Sequence, residues 1–260
     1  MFADHYIGWI ESRTNCIRKY TPTNFFKDKR VLEPGCGYAY IGNKISQLGA
    51  TVTSTDAREE HTDIVNVMFP HITTQVMDCD KELITDKYDI IVHLGTLSHL
   101  QNPEAHLDNV TSMCNYLFLE CEVSDSDNPD YCLHTQEYGY DQSIHNTGSR
   151  PSAAFIERVL AKNEFSFKMI CNSILNYTMH NYTWESRNTN GWANGQRRFW
   201  ICWRTGHVGS PFIAAAAEAA IRSSDAAKAA ASAVEAATTA SIKACEAAGV
   251  AAELALMATT

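Results

Sequence analysis

The sequence predicts an α/β protein built on a Rossmann-like doubly wound sheet, mostly parallel with an antiparallel edge strand, followed by an alanine-rich helical tail. Three observations carry that expectation. Residues 30–56 read as strand, glycine turn, helix and second strand. Tyr88-Asp-Ile-Ile-Val-His93 is a nearly continuous apolar run, as a parallel strand covered on both faces requires. Strand-like and helix-like segments then keep alternating to about residue 205.

Taken in order, residues 1–29 carry Trp9, Ile10, Ile17, Tyr20, Phe25 and Phe26 at uneven helical spacing and are expected to form a helical lead-in over the sheet edge or a bound cofactor. Residues 30–205 form the main domain. Its first strand runs through Arg30, Val31 and Leu32; Gly35 and Gly37 make the turn; Tyr40–Leu48 has the spacing of a helix that Gly49 ends. Thr51–Thr55 is rich in β-branched residues and reads as strand two. A short strand is expected at Ile72–Met77, a helix from Asn102-Pro103-Glu104, and a strand at Tyr116–Glu120. Val123–Ser149 is polar and aperiodic and reads as a substrate-side loop, after which Pro151–Leu160 reads as a helix with proline in its first turn. Phe165–Ile170 and Arg198–Trp203 would pair as an antiparallel edge. Residues 210–260 are dominated by alanine, the strongest helix former, with a narrow stripe of larger apolar residues that would need a partner; self-association through this helix is one expectation, a partly ordered tail without chemical role the other.

The formal charge of −9, without a sustained Lys/Arg block, argues against a long nucleic-acid partner. The nine cysteines have no CxxC pairing and sit mostly in apolar segments, as small buried hydrophobes. Their odd number, with no secretory leader and no long apolar span, predicts a cytoplasmic protein without a membrane partner.

The chemistry is expected at the first turn, Glu33-Pro-Gly-Cys-Gly37. Glycine backbone there can approach a ligand, and the following helix begins with free N–H groups. A dinucleotide site carries Gly-x-Gly-x-x-Gly, whereas this strand ends in Glu33. A carboxylate at that point repels phosphate and can pair with an ammonium, which favours an amino-acid-bearing nucleoside over NAD. Asp56, at the end of strand two, can accept hydrogen bonds from two ribose hydroxyls.

On these residues the chain resembles the class I S-adenosylmethionine-dependent methyltransferases, whose first motif is an acidic residue, a variable position, Gly, x and Gly. The resemblance spans roughly residues 28–205 and departs from the common pattern at Ala39, where a third glycine is frequent. It implies S-adenosyl-L-methionine as cofactor, held by Glu33, Gly35, Cys36, Gly37 and Asp56, with Asp78 and Cys79 near the adenine.

The acceptor side is read from later residues. His93 stands at the carboxyl end of a central strand, where open α/β sheets bind ligands, and is the first candidate for acid/base or cofactor contact. His99 matches a histidine frequent in the family, with a structural or cofactor-loop role expected. His134, Tyr140, Asp141, His145 and Arg150, then Tyr177, His180, Tyr182, Trp184 and Arg197, supply a candidate acceptor pocket, from which Tyr140 and His145 are taken as further catalytic candidates. No metal is expected, because His134 and His145 have no ligand spacing. The absence of Asp/Asn-Pro-Pro-Tyr/Phe after strand four argues against N-methylation of a base, and weaker likenesses at Gly148–Val159 and Arg197-Arg-Phe-Trp200 to small bacterial and viral methyltransferases suggest a small-molecule or sugar/glycan-like acceptor methylated on oxygen. The alternative is a methyltransferase fold retained as a catalytically inactive structural or interaction protein.

Overall fold

A computed structural model describes residues 4–177, 182, 183, 185, 187–192, 196–207 and 232. The alanine-rich segment 210–260, apart from Ser232, and with it the expected self-association helix, lies outside the described residues, as do His180 and Trp184.

Five helices, α1 (Asp4–Lys19), α2 (Tyr40–Ser46), α3 (Glu59–Met68), α4 (Pro103–Met113) and α5 (Ala153–Lys162), accompany nine strands among the described residues. The strands are β1 (Arg30–Pro34), β2 (Thr51–Asp56), β3 (Thr73–Val76), β4 (Ile90–Leu94), β5 (Tyr116–Glu122), β6 (Cys132–Gln136), β7 (Thr147–Pro151), β8 (Phe165–Met169) and β9 (Arg197–Arg204). Seven of them form one sheet in the order β3-β2-β1-β4-β5-β9-β8. Pairing is parallel from β3 through β5, and β9 runs antiparallel to both β5 and β8. The reversed strand is therefore β9, one position in from the edge that β8 forms.

The sequence explains the order of burial. Every residue of β4 is buried, as its unbroken apolar run demands. The main core joins Leu32, Ile91, Leu117, Leu119, Trp200 and Cys202 of the sheet to Leu107 and Val110 of α4 and Ile156 and Val159 of α5. On the opposite side the lead-in turns its aromatics onto β5: Phe25 meets Phe118 edge-on with ring centroids 6.1 Å apart.

Two expectations are corrected. The polar stretch 123–149 is not one loop: β6 and β7 form a separate antiparallel hairpin, and β5 continues through Glu122. Its alternation was hidden because both faces of the hairpin carry polar or charged residues. Pro151 ends β7 opposite Cys132 rather than opening a helix, and Ser152 caps α5 by accepting a hydrogen bond from the Phe155 N–H at 2.9 Å. A serine oxygen satisfies an orphan donor at a helix start, which proline cannot do.

Candidate active site

The carboxyl ends of β1, β2 and β4 open into a cavity of about 480 Å³. Its first wall is the turn after β1. Gly35 has φ 62°, and a Cβ there would lie 2.3 Å from Thr96 Oγ1, so both backbone conformation and packing require glycine. Gly37 has φ 53° and faces open space, where any side chain would fill the cavity. Asp56 ties this turn to strand two: Oδ2 accepts from the Gly37 N–H at 2.9 Å and Oδ1 from the Arg58 N–H at 3.0 Å. Cys36 donates its N–H to the Thr55 carbonyl at 2.8 Å.

Glu33 lies beneath the turn. Its Oε2 accepts from Ser54 Oγ at 2.8 Å and from the Gly42 N–H at 3.1 Å. Burial pushes its carboxyl up to about 7, against the pull of those two bonds. Ala39 occupies the position where the family often has glycine, with φ 51° and ψ 30°. A left-handed backbone there accounts for that preference.

The second wall comes from distant segments: Tyr6, Trp9 and Ile10 of α1, Leu94 at the end of β4 with Gly95, Thr96 and His99 after it, Asp141 beyond the hairpin's first strand, and Arg197 of β9. Burial, reinforced by the Asp141 carboxylate, pushes the Tyr6 phenol up. Behind this wall runs a buried chain of alternating charges. Arg13 contacts Glu120 at 2.8 Å; Arg197 bridges Glu120 at 3.1 Å and Glu122 at 2.8 Å; Arg150 joins Glu122 at 2.8 Å to Glu137 at 2.7 Å; Glu137 reaches His99 Nδ1 at 2.7 Å. Glu120 and Glu122 project from one face of β5, as residues two apart on a strand must, and Arg197 sits opposite Glu122 in the register. Burial alone would raise the Glu120 carboxyl, but the guanidinium groups of Arg13 and Arg197 outweigh it and hold it at about 2.

The sequence candidates divide accordingly. Glu33, Gly35, Cys36, Gly37, Asp56 and Tyr140 line the cavity, as do Asp141 and Arg197. His93 does not: it is fully buried, with Nε2 2.9 Å from Nε2 of His106 on α4. Alternation along β4 turns it away from the cavity that Leu94 and Gly95 line. Burial drives the His93 ring well below its ordinary value and the His106 ring to about 4, so both are held neutral in the core. The structure thus gives His93 neither the cofactor contact nor the acid/base position expected of it.

His145 is also elsewhere, 2.8 Å from Asp78 Oδ2, and neither they nor Cys79 line the cavity. Asp78 also accepts from the Asp80 N–H at 3.1 Å, and Asp80 accepts from the Gln101 N–H at 2.8 Å, so this cluster braces the β3 loop. Asp78, Asp80 and His145 offer side-chain atoms within 4.8 Å of one another, the one such grouping of possible metal ligands among the described residues. Tyr140 approaches the first wall: its ring lies 5.7 Å from His61 and its hydroxyl 3.4 Å from Glu60 Oε1. His134 is exposed on β6, while Tyr177 packs on Gly8 and Tyr182 on Arg13, behind the cavity.

What the sequence reading missed is the pairing of His99 with Glu137 and the ion-pair chain behind it. A signal was present. Two glutamates, Glu120 and Glu122, interrupt an otherwise apolar strand, and buried carboxylates need cationic partners.

Residues 10–168 match the family model described as a methyltransferase domain, and the chain belongs to that family. The ubiquinone biosynthesis O-methyltransferase of Parvibaculum lavamentivorans is 27% identical over 119 residues, which cover 39% of this chain and 46% of that protein. Putative methyltransferase 235L of Invertebrate iridescent virus 6 is 31% identical over 88 residues, 33% of each chain. The chain thus spans less than half the length of these relatives. Among solved structures, the N-terminal domain of EvdMO1, determined with SAH and D-fucose, superposes with a TM-score of 0.59 at 14% identity over 78% of this chain and 84% of that one. An S-adenosylmethionine-dependent methyltransferase from Mesorhizobium loti gives 0.54 at 13% identity over 74% and 98%. The fold is the class I methyltransferase fold that the glycine motif implied.

Proposed function

We propose that this methyltransferase-family chain uses S-adenosyl-L-methionine to methylate a hydroxyl oxygen of a small-molecule, sugar-like or phenolic acceptor. The observation that carries the reading is the shared cavity: the turn Glu33–Gly37 with Asp56 forms one wall, and Tyr6, Trp9, His99 and Arg197 form the other. The residues fit the cofactor. Gly37 leaves open the space a side chain would fill, Asp56 offers acceptors for ribose hydroxyls, and Glu33 offers a carboxylate for an ammonium.

When bound, the cofactor supplies an electrophilic methyl group on a sulfonium. The chain's own contribution is chiefly positioning, because a displacement at carbon needs an aligned nucleophile and a dry site. Aromatic rings of Tyr6 and Trp9 give a rigid face for a sugar or phenol ring. The choice of oxygen is supported by relatives named as O-methyltransferases. The named D-fucose of the EvdMO1 structure supports a sugar among the acceptors to try.

Calorimetric titration with S-adenosylmethionine and S-adenosylhomocysteine, followed by transfer of labelled methyl to a panel of catechols and methyl glycosides, tests the proposal. Saturable binding with one ligand per chain and a methyl ether product are expected. Binding without any methylated product would favour an inactive, interaction-only protein.

A further inference from the structure

We infer that His99 is the catalytic base that takes the proton of the acceptor hydroxyl, and that Glu137 and Arg150 are the residues that position it. The inference rests on the hydroxyl-methylation reading above. His99 ends the short 3-10 turn Leu97–His99 after β4 and lines the cavity, with about a quarter of its side chain exposed (24%). Glu137, just after β6, is 2% exposed and would stand unpaired without help. Its Oε2 meets His99 Nδ1 at 2.7 Å and accepts from the Ser143 N–H at 3.0 Å, while Oε1 accepts from Arg150 Nη2 at 2.7 Å.

These contacts decide a tautomer. Burial alone would raise the Glu137 carboxyl, yet the bonds from His99, Arg150 and Ser143 outweigh it and hold it at about 2. An ionised carboxylate only accepts, so Nδ1 carries the proton of the neutral ring, and Nε2 carries the lone pair. Arg150 locks both partners at once, since its Nη1 also donates to the Ser98 carbonyl at 2.7 Å and its Nε contacts Glu122 at 2.8 Å. The approach tolerates no side chain at Gly148, where a Cβ would lie 2.6 Å from Glu137 Cδ and 2.6 Å from the Ser98 carbonyl oxygen.

In the step, the acceptor O–H proton passes to His99 Nε2 as an oxygen lone pair forms the bond to the methyl carbon. The carbon–sulfur bond breaks with its electron pair left on sulfur, so the sulfonium becomes a thioether. The resulting imidazolium is offset by Glu137. A hydroxyl acceptor needs such a base in a way that a neutral amine does not.

Side-chain 15N NMR of the wild-type protein without cofactor is the activity-independent test: the neutral His99 ring should show a protonated Nδ1 and a bare Nε2, a preference lost in Glu137→Gln. With an acceptor from the catechol and glycoside panel, His99→Gln should lower kcat by roughly a hundredfold or more while S-adenosylhomocysteine affinity stays within about twofold. Gly148→Ala, which displaces Glu137 and leaves both side chains present, should reduce kcat by a smaller factor. A neutral wild-type ring that carries its proton on Nε2 and not on Nδ1, or a His99→Gln enzyme with kcat within about twofold of wild type, would overturn the inference. If the wild-type protein binds S-adenosylhomocysteine but methylates no hydroxyl, the methylation reading has failed instead, and the ring tautomer alone then judges the pair.

Discussion

The cavity's two walls are held in opposite ways. On the proposed cofactor side, Gly35, Gly37 and Asp56 lie within one strand-turn-helix-strand unit, and backbone N–H groups organise a single carboxylate. On the proposed acceptor side, Arg13, Glu120, Glu122, Glu137, Arg150 and Arg197 come from five separate elements or loops, and charge pairing inside the protein substitutes for sequence proximity. A local motif can be copied between proteins without its surroundings; a buried ion chain works only when every member arrives. The first wall therefore suits an invariant ligand, and the second is where one fold can be refitted to a new acceptor.

The largest effect expected is from Glu120→Ala. It leaves two buried guanidinium groups without their shared carboxylate, and the loss should be about 3–5 kcal/mol in chemical denaturation. A loss under about 1 kcal/mol would show that the acceptor side does not depend on the chain.

Next is pH, where the walls should respond with opposite sign. Glu33 is raised to about 7 by burial, so the folded state favours its protonated form; that stabilisation is complete below the ordinary value of 4.5 and is lost as pH rises through about 7. The span corresponds to roughly 3 kcal/mol. Glu120 and Glu137 are held at about 2, and their stabilisation is present above 4.5 and lost as pH falls through about 2. Replacing Glu33 with Gln should flatten the fall in stability between pH 5 and 7 and leave the acid limb intact. Binding of an ammonium-bearing ligand selects the Glu33 carboxylate, so calorimetry at pH 6 in two buffers should detect proton release, abolished in the same variant.

Asp56→Ala removes the carboxylate shared by the Gly37 and Arg58 N–H groups and, in the proposed complex, by the cofactor ribose. S-adenosylhomocysteine affinity should fall ten- to a hundredfold, about 1.5–3 kcal/mol, with folding retained. Unchanged affinity in a folded variant would remove Asp56 from the site. The smallest effect is a gain: Ala39→Gly relieves a left-handed alanine and, after the extra entropy of glycine in the unfolded chain, should stabilise by about 0.5 kcal/mol.

From the sequence alone came the parts set by short-range physics. The apolar run before His93 fixed a buried parallel strand, the glycines after β1 fixed a turn open to a ligand, and Asp56 followed at the end of the next strand, because strand alternation, glycine stereochemistry and turn chemistry act over a few residues. The hairpin of β6 and β7 escaped because its polar residues are balanced by partners remote in the chain. Tertiary structure alone decided which histidine reaches the cavity. His93 and His99 stand six positions apart in one segment, yet strand alternation sends the first into the core against His106 while a 3-10 turn brings the second to the cavity wall, where Glu137, from a hairpin nearly forty residues away, can hold it. The ion chain behind it was equally beyond sequence reading, since buried charges announce that partners exist but only packing chooses which ones meet.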